Sequence, residues 1–140
     1  MHPFRKAVEE RDEEAIRAML ADTVVFTSPV AFKPYVGKPI TAAILRGVLR
    51  VFEDFRYVRE IHDRGGRDHA FVFETGIAGA PGVKITGCDF LHFDDDGRID
   101  DFMVMVRPLS GATALSEAMG AQFGRIQQEA LELANQSGTA

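Results

Sequence analysis

The stretch 87–108, GCDFLHFDDDGRIDDFMVMVRP, contains two apolar segments separated by Asp94-Asp95-Asp96-Gly97. Glycine accepts positive φ and aspartate hydrogen-bonds its own backbone, so a cluster of this kind is typical of a turn between two strands. The pattern predicts an antiparallel hairpin formed by residues 88–93 and 99–106. Because strand side chains alternate, this hairpin also determines which residues share a face of the sheet.

Asp89 is the one charged residue on an apolar strand face, which comprises Ile85, Gly87, Asp89, Leu91 and Phe93. Burial of an unpaired carboxylate is unfavourable by several kcal/mol, so such a group needs a partner, a raised pKa or a functional role. Two interpretations stay open for Asp89. It is either a functional acid, and then the candidate catalytic residue, or a structural carboxylate bonded to Ser28, Tyr35 or backbone.

Composition indicates a single globular domain spanning residues 1–140. The chain has 140 residues, of which 46% are hydrophobic and 11 are Phe, enough for a substantial core. Its formal net charge is -5 and no run of Lys or Arg is present. A basic surface of the kind that binds nucleic acid or an anionic membrane is therefore not expected.

Cys88 is the only cysteine, so no intrachain disulfide can form. The N-terminal residues are acidic where a signal peptide would be apolar, and no window approaches the ~18 apolar residues of a membrane span. These features predict a cytoplasmic protein without a cofactor.

Two segments resemble metal sites weakly. His62, Asp63 and His69 flank a glycine turn, but two imidazoles at a hairpin end are more often solvated. The acidic turn resembles half a calcium loop, yet aligning Gly97 with the loop glycine places His92 at the first ligand and Met103 at the bidentate glutamate. We therefore predict no metal.

Hydrophobic spacing along the chain predicts an α+β fold. One short helix is expected before Asp12, and a second is expected to end near residue 21. A strand follows at 23–27, and the loop after it carries Phe32 and Tyr35. A helix is expected from Pro39 to Phe52. Strands at 55–63 and 68–78 precede the 88–106 hairpin and complete a four-stranded meander, and a long amphipathic helix follows from Leu109.

Three motifs in this order resemble the NTF2-like superfamily, specifically its SnoaL-like and ketosteroid-isomerase-like branch. They are ADTVVFTSPV at 21–30, GKPI at 37–40 and DFLHFDDDGRI at 89–99. The resemblance implies a cone in which a curved antiparallel sheet wraps around the N-terminal helices, with the long C-terminal helix beside it. It also implies a pocket inside the cone and a homodimer formed through the outer sheet face.

Only some of the branch's catalytic residues are present at the matching positions of this chain. Asp89 occupies the position of the isomerases' protonated acid, whereas their general base corresponds to Ser28 and their oxyanion tyrosine to Phe4. A hydrolase triad is also missing, since Phe73, Thr75 and Val104 occupy its positions. The polyketide cyclases' base on the last strand corresponds to Phe102, Val104 or Val106. Whether the protein is an enzyme therefore stays undecided at this point.

Three functions follow as hypotheses. The first is a pocket for a small, mostly apolar molecule with Asp89 as its polar anchor, lined by Phe4, Phe26, Ser28, Tyr35, Phe52, Phe73, Thr75, Leu91, Phe102 and Val104. Alternatively these aromatic side chains fill the core. The second is an isomerase, cyclase or hydrolase in which Asp89 is the acid and Tyr35, His62 or another group is the base.

The third hypothesis is an assembly module that uses the outer sheet face and the C-terminal helix. The outer face contains Phe90, His92, Met103 and Met105, and its exposure to water would be unfavourable. A sheet-to-sheet homodimer would cover it. Arg107 lies on the same face, where we expect it to pair with Glu74.

Overall fold

Residues 2–137, the part of the chain that the computed structural model describes, form four helices and six strands. In chain order these are α1 (Pro3–Glu9), α2 (Glu13–Met19), β1 (Leu20–Thr27), β2 (Tyr35–Val36), α3 (Lys38–Val51), β3 (Phe52–His62), β4 (Asp68–Ile77), β5 (Lys84–Phe93), β6 (Ile99–Arg107) and α4 (Leu109–Ser137). The predicted α+β class is confirmed. The sequence did not indicate β2, which lies in the predicted loop.

The six strands form one sheet in the order β2-β1-β6-β5-β4-β3. Strands β3 to β6 are the predicted antiparallel meander, and Asp89 pairs with Val104 across its last hairpin. The expectation of an entirely antiparallel sheet is wrong for one pair, because β1 runs parallel to β6 with Phe26 opposite Phe102. No hairpin joins these two strands, so no tight turn constrains their relative direction.

The two N-terminal helices begin at the residues that the sequence indicates. Pro3 occupies the first turn of α1, and the His2 Nδ1 atom caps this helix by accepting a hydrogen bond of 3.0 Å from the Phe4 amide. Asp12 caps α2 in the same way, accepting from the Ala15 amide at 3.0 Å. Both helices pack against the inner side of the sheet, where Phe4 is fully buried.

Strand β3 contains two register irregularities that change which side chains point inward. Asp54 has a φ of 55°, and the pairing with β4 shifts between Glu53 and Arg56. Phe55 and Tyr57 follow Phe52 by three and five positions, which in a regular strand would put them on the opposite face. The extra residue of this bulge places them on the same side as Phe52. The inner wall of the cone therefore gains two aromatic side chains from β3.

Helix α4 packs against α3 of its own chain. Gly47 permits the close approach, because a Cβ atom there would lie 2.7 Å from the Ile126 Cδ1 atom. Glu129 forms ion pairs with Arg46 at 2.9 Å and Arg50 at 2.7 Å, and Leu133 is buried further along the helix. The apolar face of α4 is therefore used within the chain.

The outer sheet face has the predicted composition. Phe90 and Met105 are 37% and 53% exposed, and Phe90 pairs with Met103 across the last hairpin. The expected pair of Arg107 and Glu74 is wrong, because Glu74 accepts from Arg56 on the adjacent strand β3 at 3.2 Å. No helix of the described part has the length and apolar character needed to cross a membrane.

Candidate functional site

Asp89 lies on the inner face of β5 and is bonded to a tyrosine that the sequence interpretation did not propose. Its carboxylate Oδ2 atom accepts a hydrogen bond of 2.6 Å from the Tyr57 hydroxyl. Asp89 is 6% exposed and Tyr57 is 3% exposed. The expected partners Ser28 and Tyr35 are therefore wrong, and the Asp89–Tyr57 pair is the polar centre of the site.

Burial changes the acidity of both groups. Desolvation raises the pKa of Asp89 to about 7, and the hydrogen bond from Tyr57 opposes this shift because it stabilises the carboxylate. The pKa of Tyr57 is raised well above its usual value by desolvation and by the neighbouring Asp89 charge. Tyr57 therefore remains a neutral donor, whereas Asp89 exchanges its proton near neutral pH.

The pair lies at the wall of a cavity between the sheet and helices α1, α3 and α4. Its volume open to the centre of a water molecule is about 70 Å³, and its accessible surface is almost entirely apolar. Three of its lining residues have polar side chains: Ser28, Tyr57 and Asp89. The cavity is thus an apolar space with a single acid–phenol pair on one wall.

Most of the predicted pocket residues surround this cavity. Seven of the ten candidates do so, together with Asp89: Phe4, Phe26, Ser28, Phe52, Phe73, Phe102 and Val104. The structure adds several that were not proposed, including Val8, Ile44, Val48, Phe55, Tyr57, Leu115 and Met119. Most of the added residues come from the helices, since the prediction relied on the strands.

Three predicted pocket residues lie elsewhere. The Tyr35 ring packs against Phe123 of α4, with centroids 6.1 Å apart. Thr75 is buried but donates its hydroxyl to the Glu53 carbonyl at 3.1 Å, near the end of the sheet. Leu91 is buried in the core two residues beyond Asp89, too far along β5 to reach the cavity.

Neither of the bases considered from sequence reaches the cavity. Tyr35 lies outside it, and His62 contacts His69 at the far end of the β3–β4 hairpin. The Ser28 hydroxyl accepts a hydrogen bond of 3.1 Å from the Val30 amide, which fixes it in a local turn. Among the described lining residues, Asp89 is therefore the only group able to take up a proton near neutral pH.

Tyr57 was detectable by strand alternation. The predicted strand began at residue 55, and alternation from Phe55 places Tyr57 on the same face. The bulge at Asp54 does not disturb this relation, because it precedes both residues. An inward phenol and an inward carboxylate on strands of one meander were the available signal for the pair.

The segments weighed as metal sites have other roles in the structure. Asp94 Oδ1 accepts from the Asp96 and Arg98 amides, each at 2.9 Å, as expected of a turn aspartate. Within residues 2–137, no group of three or more His, Cys, Asp or Glu side chains is arranged to hold a metal ion.

A helix-covered curved sheet around an apolar cavity defines the NTF2-like class of α+β cones. Within this class, the SnoaL-like domain family matches residues 2–102, and the chain belongs to that family. A comparison with curated proteins gave no significant match.

Solved structures agree with this assignment. A steroid delta-isomerase from Pseudomonas aeruginosa is 40% identical, with a TM-score of 0.80 and 89% of each chain covered. An uncharacterised bacterial protein with a cystatin-like fold from Silicibacter pomeroyi is 33% identical, with a TM-score of 0.78 over 86% of this chain and 82% of that one. A SnoaL-like polyketide cyclase from Shewanella denitrificans shares the fold at 17% identity, a TM-score of 0.60 and coverages of 86% and 93%.

Proposed function

We propose that the protein binds a small, mostly apolar molecule in this cavity and holds one polar atom of it against Asp89. The observation that carries the proposal is the incomplete bonding of Asp89. Its Oδ2 atom accepts from the Tyr57 hydroxyl, and no other hydrogen bond to this side chain is found among residues 2–137. A carboxyl group can form more than one hydrogen bond, and a polar atom of a ligand in the cavity would supply a further one.

The protonation state of Asp89 determines which ligand atom fits. When the carboxyl is protonated, Oδ2 still accepts from Tyr57 and the acid proton is available to a carbonyl oxygen of the ligand. When it is ionised, Oδ1 accepts from a ligand hydroxyl. Because the pKa of Asp89 is about 7, carbonyl ligands bind best in mildly acidic solution.

The cavity adapts to its ligand through flexible side chains. A free volume of about 70 Å³ is smaller than the ~300 Å³ of small ligand pockets, so an incoming molecule must displace lining groups. Met119 of α4 lines the cavity and is partly exposed, and methionine readily changes rotamer. We place the entrance beside Met119.

The test uses two probes of nearly equal size, 1-tetralone and tetralin, which differ by one carbonyl oxygen. Binding is measured by calorimetry at pH 5.5 and 8.5. If only the protonated form of Asp89 binds the ketone, a pKa of about 7 lowers tetralone affinity by about 30-fold at the higher pH. Tetralin affinity should not change with pH.

Asp89→Asn provides the matched variant, because its amide donates a hydrogen bond at both pH values. This variant should bind tetralone with no pH dependence. Asp89→Ala, which leaves the Tyr57 hydroxyl as the donor on this wall, should also lose the pH dependence. Equal affinity of the wild-type protein for the two probes would refute the role of Asp89 as an anchor. Absence of binding by either probe at millimolar concentration would refute the pocket itself.

A second candidate function is proton-transfer catalysis on a steroid-like or polyketide-like ketone. It is favoured by the 40% identity to the structure called a steroid delta-isomerase, together with an ionisable group inside the cavity. Asp89 would then act on the reacting atoms as acid or base. Turnover of an unsaturated 3-oxosteroid that decreases by orders of magnitude in Asp89→Asn, with binding retained, would support catalysis over simple binding.

We further infer that the protein is a cytoplasmic homodimer that binds neither nucleic acid nor membrane. The exposed apolar outer face supports the dimer, the single thiol Cys88 is compatible with a reducing compartment, and the net charge of -5 disfavours polyanionic partners.

A further inference from the structure

His62 and His69 face each other across the last residue pair of the β3–β4 hairpin. Their Nδ1 atoms are 2.5 Å apart, and the two rings meet edge to face with centroids separated by 4.7 Å. His69 is buried beside Phe71 and Phe93. The pair lies away from the cavity and has no part in the proposed binding.

The outer nitrogens of both rings are already used as donors. His62 Nε2 lies 3.1 Å from the carboxylate of Glu60, which is also paired with Arg5 at 2.9 Å. His69 Nε2 lies 2.9 Å from the carbonyl oxygen of Gly66. An ionised carboxylate and a carbonyl only accept hydrogen bonds, so both Nε2 atoms carry hydrogen.

This assignment leaves a lone pair on each Nδ1 atom when both rings are neutral. Two lone pairs at 2.5 Å repel one another, and the contact becomes attractive only if a cation lies between them. Two nitrogens bound tetrahedrally to zinc at ~2.0–2.1 Å would be more than ~3 Å apart, which the observed separation does not match. The described residues also contain no three-ligand metal cluster at this place.

We propose that His62 and His69 hold a single shared proton between their Nδ1 atoms. The pair is thus a singly charged clasp, an imidazolium donating to an imidazole, that closes the hairpin end. One proton is bound and no other bond is made or broken.

The clasp contacts the helix that covers the cavity. The His2 ring, which caps α1, lies with its centroid 4.9 Å from that of His69 and 5.7 Å from that of His62. Burial and then the charges of His69 and His62 lower the pKa of His2, as expected beside a positive pair.

Other charged groups also face the pair. Arg5 approaches from α1, Glu60 from β3, and Asp63 from the turn, where it accepts from the Arg67 amide. The adjoining outer cleft is lined by Asp68, His92 and Asp101. These neighbours include both signs of charge, so a titration of the whole protein does not isolate the clasp.

The test is therefore residue-specific. Long-range proton–nitrogen NMR spectra at neutral pH should show protonated Nε2 atoms on both histidines and one slowly exchanging, strongly deshielded proton correlated with both Nδ1 atoms. His62→Phe and His69→Phe should each lose that proton signal. Either variant should also carry one positive charge fewer by capillary electrophoresis, and the double variant should lose that same single charge.

His92→Phe is the matched control. His92 lies on the neighbouring strand β5 and pairs with Asp100 at 2.6 Å, so its removal should leave the shared proton signal intact. Two histidines with unprotonated Nδ1 atoms and no shared proton in the wild-type spectrum would overturn the proposal. So would stoichiometric zinc binding that is abolished by either single substitution, together with a change of the spectrum on adding EDTA.

Discussion

At the scale of single residues, the dominant feature is a carboxyl group kept in an apolar wall by one phenol. A single hydrogen bond does not replace the hydration that Asp89 loses, so its neutral form is favoured up to about pH 7. The same imbalance makes Asp89 useful to a ligand. It also makes Asp89 a source of instability whenever it is ionised.

The stability of the protein should therefore decrease with pH through this residue. The pKa of Asp89 is ~3.9 in an unfolded chain and about 7 in the fold, so the folded protein binds more protons between these values. The free energy of unfolding falls as pH rises across that window, by roughly 4 kcal/mol in total from this group. Asp89→Asn removes the effect and should be the more stable protein at pH 8.

Urea unfolding at pH 4.5 and pH 8 measures this difference. Asp101→Asn is the control, because Asp101 is an exposed carboxylate on β6 with no part in the pair. The stability of Asp101→Asn relative to wild type should be nearly the same at both pH values. A constant difference between Asp89→Asn and wild type would contradict the assigned acidity of Asp89.

Asp89 was predictable from sequence, whereas its partner was only partly so, since strand alternation places Tyr57 on the inner face but does not bring the two side chains together. A charged residue in an alternating apolar strand can be recognised as a candidate site residue from sequence, because the period of two assigns it to the buried face. Its partner depends on which residues of β3 and β5 come together across β4. That information resides in the register of the sheet, and the local sequence around Asp89 does not contain it.

At the scale of elements, the bulge in β3 directs Tyr57 towards Asp89. Asp54 adopts a φ of 55°, a conformation that aspartate tolerates better than branched residues do. Asp54→Val should destabilise the fold by about 2 kcal/mol, because a β-branched side chain is strained at this φ. Asp54→Gly should remain within about 1 kcal/mol of wild type.

Denaturant unfolding checks this prediction against Glu53→Val, a change at an exposed, extended neighbour in the same strand. Glu53→Val should have little effect on stability. Equal stability of Asp54→Val and Glu53→Val would contradict the prediction, because it would mean that β3 can pair with β4 without the bulge at residue 54. Circular dichroism should show nearly the same helix content for these variants and the wild-type protein. A difference in stability then reflects local strain at the substituted residue.

Helices and hairpins were foreseen to within a few residues, since caps, turns and apolar spacing are local signals. The bulges were not, because a positive φ at Asp54 is selected by packing of Phe52 and Phe55 against Phe73. The helical half of the cavity lining was missed for a related reason. Which side of α3 or α4 faces the cavity depends on how closely Gly47 lets the two helices approach.

At the scale of the whole molecule, the parallel pairing of β1 with β6 extends the open sheet beyond the meander in a way that hairpin signals do not predict. It brings Phe26 beside Phe102, and so joins the N-terminal segment to the meander. The inner face of the resulting sheet packs against the core and lines the cavity. The outer face of β5 and β6 is left with apolar side chains and no covering element in residues 2–137.

This imbalance leads to the last prediction, that two copies associate through their outer sheet faces. Phe90→Lys combined with Met105→Lys places two charges in the proposed interface, where like charges from both copies would meet. Light scattering at micromolar concentration should give the mass of a dimer for the wild-type protein and of a monomer for this variant. The reason is that desolvation of unpaired lysines opposes association.

Phe32→Lys is the matched control, because Phe32 is fully exposed in the loop before β2 and lies outside the outer face. It adds the same chemical change to an exposed aromatic residue, and the dimer should persist. A wild-type monomer at that concentration would exclude the dimer, and a dimer retained by the double variant would place the interface on another surface. The pocket proposal survives either result, since every described residue that lines the cavity belongs to a single chain.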